Sequence, residues 1–426
     1  MNTTADLLRE LDNTDRRTRA LIEDLDDAQL AVPYEPGINP PIWELGHAAF
    51  FSEYFLLREL GNPDPRMPGH DEIWDSFQIQ HRNRWQAGIV PDKQTTLDYY
   101  GRVMDEVRER LRAREPEPRE HYLCRYAVCH QNLHIESMIW CRQTLGYSRP
   151  SFALEPPAAG GEVASEDVSV PGGRYPIGMP AGSADFATTD FSFDNERPGF
   201  DAEVAPFEIS KTLVSNGEFL AFVEDSGYES VAAWSYQGRD WLRDENAKHP
   251  LYWRRDQGGE WQVRCFDEWI ELPLSAPALH LSYWEAEAFC NWAGRRLPTE
   301  IEWEAAARGQ EGRRYPWGDT MDADRVDMDG GRLGRGAVDG LANGASPAGC
   351  LQMLGTAWEW TSDQFLPYDG FAVDMYPFMS TLQFGDHKTT RGGSCATSSC
   401  VIRNTYRQAY LPGRRDAFTG FRTCVR

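Results

Sequence analysis

His130-Gln131-Asn132-Leu133-His134 stands inside a helical pattern that spans roughly residues 118–145. On a helix this pentapeptide sets its two imidazoles one turn apart on a single face, with about 6 Å between β-carbons. Three similar segments precede it, at roughly 3–27, 41–60 and 93–114. Leu7, Leu8, Leu11, Thr18, Leu21, Ile22 and Leu25 carry the apolar spacing of the first, with charges between them. Pro33-Tyr34-Glu35-Pro36-Gly37 and Gly61-Asn62-Pro63-Asp64-Pro65 interrupt the pattern where loops are needed. Four helices of this length predict a bundle over residues 1–150.

The second helix adds His47, within Trp43-Glu44-Leu45-Gly46-His47-Ala48-Ala49-Phe50-Phe51, where Gly46 permits close approach of a neighbouring helix. Three imidazoles from two bundle helices would leave about half of an octahedral shell open. Their spacing does not choose iron over zinc. Glu44 and Glu136 are nearby carboxylates able to accept the second ring N–H of a ligand. The competing reading is a chance histidine pair on a solvated face beside one packed core histidine.

A linker is expected at 151–168, because Pro156-Pro157-Ala158-Ala159-Gly160-Gly161 neither continues a helix nor pairs in a sheet. Beyond it, residues 169–426 are rich in Gly and Trp, with short strands and helices only at 214–226 and 282–308. That pattern predicts a loop-rich α+β domain, and 426 residues accommodate the two domains. A formal charge of -23 opposes nucleic-acid binding, which requires a basic stripe, and opposes anionic membranes. No apolar run is long enough for a transmembrane helix. The first ten residues lack the basic-then-apolar order of a secretory signal, so the cytoplasm is the expected compartment. The nine cysteines form no C-x-x-C pairs and are expected to be thiols, mostly buried.

Several motifs follow in order: Val214-Ser215-Asn216-Gly217-Glu218-Phe219, Ser282-Tyr283-Trp284-Glu285, Arg295-Arg296-Leu297-Pro298-Thr299-Glu300-Ile301-Glu302-Trp303-Glu304 and Tyr315-Pro316-Trp317-Gly318-Asp319. Trp358-Glu359-Trp360-Thr361, Arg391-Gly392-Gly393-Ser394 and Gly420-Phe421-Arg422 complete the series. Together they resemble the formylglycine-generating-enzyme (sulfatase-modifying factor) domain, a C-type-lectin-like fold. The histidine-bearing bundle resembles the DinB-like helical domain. Bundle followed by lectin-like domain is the order of the ergothioneine-type sulfoxide synthases, a family that includes selenoneine synthase.

That resemblance implies Fe(II) on His47, His130 and His134, O₂ as co-substrate, and hercynine plus a sulfur or selenium donor as small-molecule substrates. It implies an iron-dependent oxidoreductase that joins the chalcogen to the imidazole carbon between the ring nitrogens. A family tyrosine that supplies a proton or electron is matched by Tyr368 or Tyr376. The mycobacterial-type Arg-Asn-Trp-Asp, whose Asp helps bind γ-glutamylcysteine, becomes Arg407-Gln408-Ala409-Tyr410. Losing that acid leaves a donor ammonium without its partner. An uncharged selenosugar does not need it, and Phe418 to Cys424 also resembles the selenoneine branch. Selenoneine synthase is therefore the expected activity, with hercynine sulfoxide synthesis from a thiol such as γ-glutamylcysteine or cysteine as the alternative.

For substrate carboxylates the sequence offers Arg82, Arg84, Arg407, Arg414 and Arg415, and Tyr410 as a lining of the donor site. Phe50, Phe51, Trp85 and Phe418 are candidate walls for a trimethylammonium group. Asp319, Asp322 and Asp324 could hold a structural Ca²⁺. A true formylglycine-generating enzyme is a competing reading, but Cys395 and Cys400 sit two residues too early for its copper-binding pair. A non-enzymatic binding module is another, and it leaves the three matched histidines without a purpose.

Overall fold

The structure is a computed structural model that describes residues 3–86, 88–154, 163, 165–181 and 191–426. The chain divides into two compact units, with the break after Phe152 and with Phe191 returning to the first.

In the first unit, helix α1 (Thr4–Ala20) starts at a capping box in which Thr3 and Asp6 each accept the other's backbone N–H. A single-turn helix, α2 (Asp27–Leu30), follows. Pro41 opens α3 (Pro41–Ser52), which widens into a π-helical turn over Glu53–Arg58. Another one-turn helix, α4 (Asp71–Trp74), precedes α5 (Lys93–Ala113), whose cap is Asp92. Helix α6 (Pro118–Leu145) begins on proline and ends at the left-handed Gly146. The segment expected to be helical at 3–27 stops at Ala20, and Leu21, Ile22 and Leu25 are buried in the turn that follows. Their apolar spacing serves the core without continuing the helix.

Gln131 and Asn132 attach α6 to the rest of the bundle. Asn132 Nδ2 donates to Thr14 Oγ1 at 2.8 Å and its oxygen accepts from Arg17 Nη1 at 3.3 Å. Gln131 Nε2 donates to Thr18 Oγ1 at 2.9 Å and also contacts the Tyr100 hydroxyl. The two polar residues between the histidines thus face α1, and the histidines face α3.

Among the described residues the second unit has four α-helices: α7 (Asn216–Glu224), α8 (Tyr236–Glu245), α9 (Tyr283–Trp292) and α10 (Glu300–Arg308). The helix expected over 282–308 is two, separated by the strand Arg295–Arg296 and Pro298. Three of the quoted motifs are capping boxes, Ser215/Glu218, Ser282/Glu285 and Thr299/Glu302. One sheet runs in the order 167–170, 207–210, 424–425, 295–296, and another in the order 407–410, 388–391, 358–364, 419–420. Strand Thr419–Gly420 pairs parallel to Trp358–Gln364, and the other pairings of both sheets are antiparallel.

The 151–168 segment does not act as a free spacer at its ends. Arg17 lies over the Phe152 ring at 5.4 Å in the first unit, and Leu154 N–H donates to Gly331 O at 2.9 Å in the second. Its Pro156–Gly161 core lies outside the described residues. Phe191, expected in the second domain, packs in the first, 5.6 Å from both Tyr122 and Tyr126. Aromatic contact overrides chain position there.

Buried ion pairs brace this strand-poor unit. Arg391 donates to Glu300 and Glu304, Arg407 to Glu300, and Arg422 to Glu359, which also accepts the Trp303 indole N–H at 2.9 Å. Gly392 has φ +96°, and a β-carbon there would lie 2.7 Å from Met353 O. Seven of the nine cysteines are buried. Among the described residues no helix is long and apolar enough to cross a membrane.

His280, at a left-handed φ of 60°, is enclosed between Tyr252 and Phe418. Burial pushes its pKa down to about 4, with Asp416 opposing and Arg264 reinforcing the shift. Above pH ~6.5 it is neutral both folded and unfolded; as pH falls toward 4, only the unfolded chain takes up the proton. Stability should therefore fall by about 3 kcal/mol over that window on this residue's account. His280→Asn, which suits the left-handed backbone, should remove that part of the slope in denaturant titrations at pH values across it.

Candidate metal centre

His47 leaves α3 at a place where nothing larger than glycine fits before it. A β-carbon on Gly46 would meet the Trp74 ring at 2.4 Å, so the close neighbour anticipated there is the indole of one-turn α4. Trp43, one turn earlier on α3, stacks on the His47 ring at 4.8 Å and 8°. His47 Nδ1 lies 2.6 Å from Trp74 O. A carbonyl can only accept, so Nδ1 carries the proton and Nε2 keeps its lone pair for a ligand.

On α6, His130 and His134 have ring centroids 4.7 Å apart, and lie 5.3 and 4.8 Å from His47. Phe51 stacks on His130 at 3.7 Å. His134 Nδ1–H donates to Glu44 Oε2 at 3.2 Å. Glu44 is buried and also accepts from the Ser137 hydroxyl at 2.6 Å and Asn39 Nδ2 at 2.9 Å. Glu44 is thus placed to hold the far nitrogen of a candidate ligand. Glu136 is buried as well.

One ligand atom from each of the three histidines lies within 4.8 Å of the other two. Burial drives the pKa of His47 and His130 well below the ordinary imidazole value, and His134 pushes both further down. Trp74 O opposes the shift at His47, and Arg84 adds to it. Neutral imidazoles are what a cation requires, and the set fits a divalent transition ion with positions left open. No second group of this kind occurs among the described residues. Of the acids considered for calcium, Asp319 accepts the Arg314 N–H, and Asp322 caps a 3₁₀ turn and pairs with Arg325 at 2.7 Å.

The other expected site residues divide sharply. Arg84 lies over the Trp43 ring at 3.8 Å and donates to Asn39 Oδ1 at 2.7 Å, next to the histidines. Arg82 is exposed, over Tyr34 at 5.0 Å. Trp85 packs on Tyr34 and His81, and Phe50 on Tyr54; Phe51 alone of the expected aromatic walls touches a metal-ligand candidate. In the second unit Arg407 is buried and holds Glu300 through Nε at 2.6 Å and Nη2 at 3.0 Å. Arg415 likewise pairs with Glu245 at 3.1 Å. Arg414 is engaged by Asp416 through two 2.8 Å bonds and lies 5.0 Å over Tyr410. Tyr410, Phe418 and Tyr376 are buried. Tyr368 stacks under Arg407 at 4.0 Å, and its buried hydroxyl has no hydrogen-bond partner among the described residues. Sequence reasoning missed Trp74, because a backbone carbonyl acceptor leaves no side-chain signature.

Glu44→Gln, which puts an amide where a carboxylate accepts the His134 proton, should weaken Co(II) or Zn(II) affinity about 10–100-fold in chelator competition while the bundle stays folded.

Comparison with known proteins matches both parts of the chain. Residues 154–426 match the sulfatase-modifying factor enzyme 1-like domain, and residues 10–123 match the DinB superfamily, a match that stops short of His130. The hercynine oxygenase of Mycolicibacterium smegmatis is 34% identical, over 98% of this chain and 97% of that protein. That of Mycobacterium tuberculosis is 34% identical over 95% of each chain. The formylglycine-generating enzyme of Streptomyces coelicolor is 32% identical but matches 64% of this chain and 93% of its own length. With both parts matched in order from end to end, the chain belongs to the ergothioneine-type sulfoxide synthase family of oxidoreductases, a DinB-like bundle followed by a sulfatase-modifying-factor domain.

Proposed function

We propose that this chain is an Fe(II)- and O₂-dependent enzyme that joins selenium, delivered by a selenosugar, to the imidazole of hercynine. The observation that carries the reading is the cluster of three imidazoles, two of them with Nδ1 committed to Trp74 O and Glu44. Bound by His47, His130 and His134, Fe(II) would supply O₂ activation and a coordination position for the chalcogen. The names of the full-length relatives support hercynine as the acceptor.

The residues of the chain do the rest. Trp74 O and Glu44 hold two ligand rings in one tautomer, and Trp43 and Phe51 cover the faces of His47 and His130 against water. Arg84 and Arg82 are the proposed grips for the hercynine carboxylate. Arg84 is favoured by its stacking on Trp43, the ring that also covers His47. Tyr368 is the preferred proton donor over Tyr376. Burial raises its pKa above the ordinary phenol value, so it stays protonated, and among the described residues its O–H has no acceptor to give up.

Selenium is favoured over a γ-glutamylcysteine donor by the state of Arg414. Its guanidinium is already neutralised by Asp416, and the neighbouring Tyr410 is buried beside Trp358 and Trp360. A donor carboxylate would have to compete with Asp416 for the Arg414 guanidinium, which an uncharged donor does not. The alternative, a thiol donor, is supported by the identity to hercynine oxygenases along the whole chain.

Fe(II)-loaded protein given hercynine, O₂ and a selenosugar should release a product whose mass contains selenium bound to the hercynine skeleton. Product from γ-glutamylcysteine or cysteine alone would transfer the assignment to the thiol reading, and product from no donor would refute both. In Tyr368→Phe, iron content should match the parent while turnover falls about 10²–10⁴-fold, the usual worth of a general acid. Equal turnover would remove Tyr368 from the reaction.

A further inference from the structure

The carbonyl that orients His47 belongs to a segment with little hold on itself. Helix α4 is a single turn, too short to be stable alone, and Trp74 is its last residue. Besides the stacking of Trp74 on Tyr99 at 6.5 Å, three attachments seat it. Trp43 Nε1 donates to Ile73 O at 2.8 Å, the Trp74 ring occupies the space over Gly46, and Asp71 accepts two bonds from Arg58, at 2.6 Å from Nη1 and 2.9 Å from Nη2.

Arg58 closes the π-helical turn Glu53–Arg58. In that turn the i→i+5 repeat brings Glu53 and Arg58 to the same side, where an α-helical turn would separate them. Arg58 Nε donates to Glu53 Oε1 at 2.8 Å. Glu53 is fully buried and is itself fixed by the Tyr99 hydroxyl at 2.6 Å and the Arg66 N–H at 3.0 Å. The arginine therefore cannot swing, and Asp71 is held at the start of α4 while Trp74 O meets His47 at its end. A displacement of about 1 Å would take that bond beyond hydrogen-bond reach. Ser76 Oγ is 3.3 Å from both ring nitrogens of His47 and so does not discriminate between them.

We propose that Arg58 and Asp71 are positioning residues for the metal centre: through the π-turn they press the Trp74 carbonyl against His47 Nδ1 and decide which ring nitrogen is left for the metal. This rests on the metal reading above, but its central claim concerns the metal-free protein.

The test uses full-length protein with ¹⁵N-labelled histidine, metal-free at about pH 8, where imidazoles are neutral. Two-bond correlation spectra report each tautomer, and chelator competition reports Co(II) affinity. In the parent, His47 should be the Nδ1–H tautomer. In Asp71→Asn and Arg58→Lys it should become a mixture, with Co(II) affinity lowered about tenfold. Arg108→Met, which removes the pairs of Arg108 with Asp12 and Asp15 elsewhere in the bundle, should destabilise without moving either readout. An unchanged His47 tautomer in the variants overturns the proposal, whether or not affinity falls. A parent that binds no Co(II) sinks the metal reading, while the tautomer shift still decides this one. Should Arg58→Lys fail to fold, Asp71→Asn decides alone, since Asp71 is partly exposed and its loss uncovers no cavity.

Discussion

Three imidazoles with ligand atoms within 4.8 Å of each other could hold one cation only if each turned a lone pair inward, and the first unit is built around that constraint. Charge on any one would raise the cost of charge on the next, and burial of His47 and His130 raises it further. Neutrality alone is not enough, because each ring must also present the correct nitrogen. That is why the site depends on acceptors placed behind the rings: a backbone carbonyl for His47 and a buried carboxylate for His134. The aromatic faces of Trp43 and Phe51 then limit the rotation that those hydrogen bonds leave.

The acceptors are held by packing of opposite kinds. Glu44 lies on α3 itself and is fixed by Ser137 of α6 and Asn39, so its position follows from the contact between two long helices. Trp74 lies on one turn of helix in a connection, and steric fit over Gly46 and the ion pair from Arg58 compensate for the missing regular structure. The π-turn is the point where a regular bundle is distorted so that an irregular segment can be gripped.

The second unit meets the same shortage of regular structure with buried ion pairs. Glu300 joins Arg391 to Arg407, and Glu359 joins Arg422 to Trp303, so the arginines of the Arg-Gly-Gly-Ser and Gly-Phe-Arg motifs tie strands to α10. Breaking one partner of such a pair leaves a buried charge, which costs about 3–5 kcal/mol and makes the network a strong specifier of these loops. Arg407 has its donors committed in this way to Glu300 and to backbone oxygens.

Much of this was legible from residues alone. The helices at 93–114 and 118–145 and the i,i+4 histidine pair follow from spacing, because helical periodicity is a local property of the chain. Helix α8 was not legible, since Tyr236 is exposed and Gly238 is its buried residue, leaving no apolar stripe to read. The π-turn was hidden because one widened turn leaves the apolar pattern of 41–60 intact. The sequence by itself determined the three candidate ligands, the two-part architecture and the family they imply. Only the tertiary structure decided which nitrogen His47 and His134 offer, that Arg407 is locked to Glu300 and Arg414 to Asp416, and that Phe191 packs with the bundle. The physical reason is range: a face of a helix is set by neighbours three and four residues away, whereas Glu300 and Arg407 stand 107 residues apart and meet only when the chain has folded.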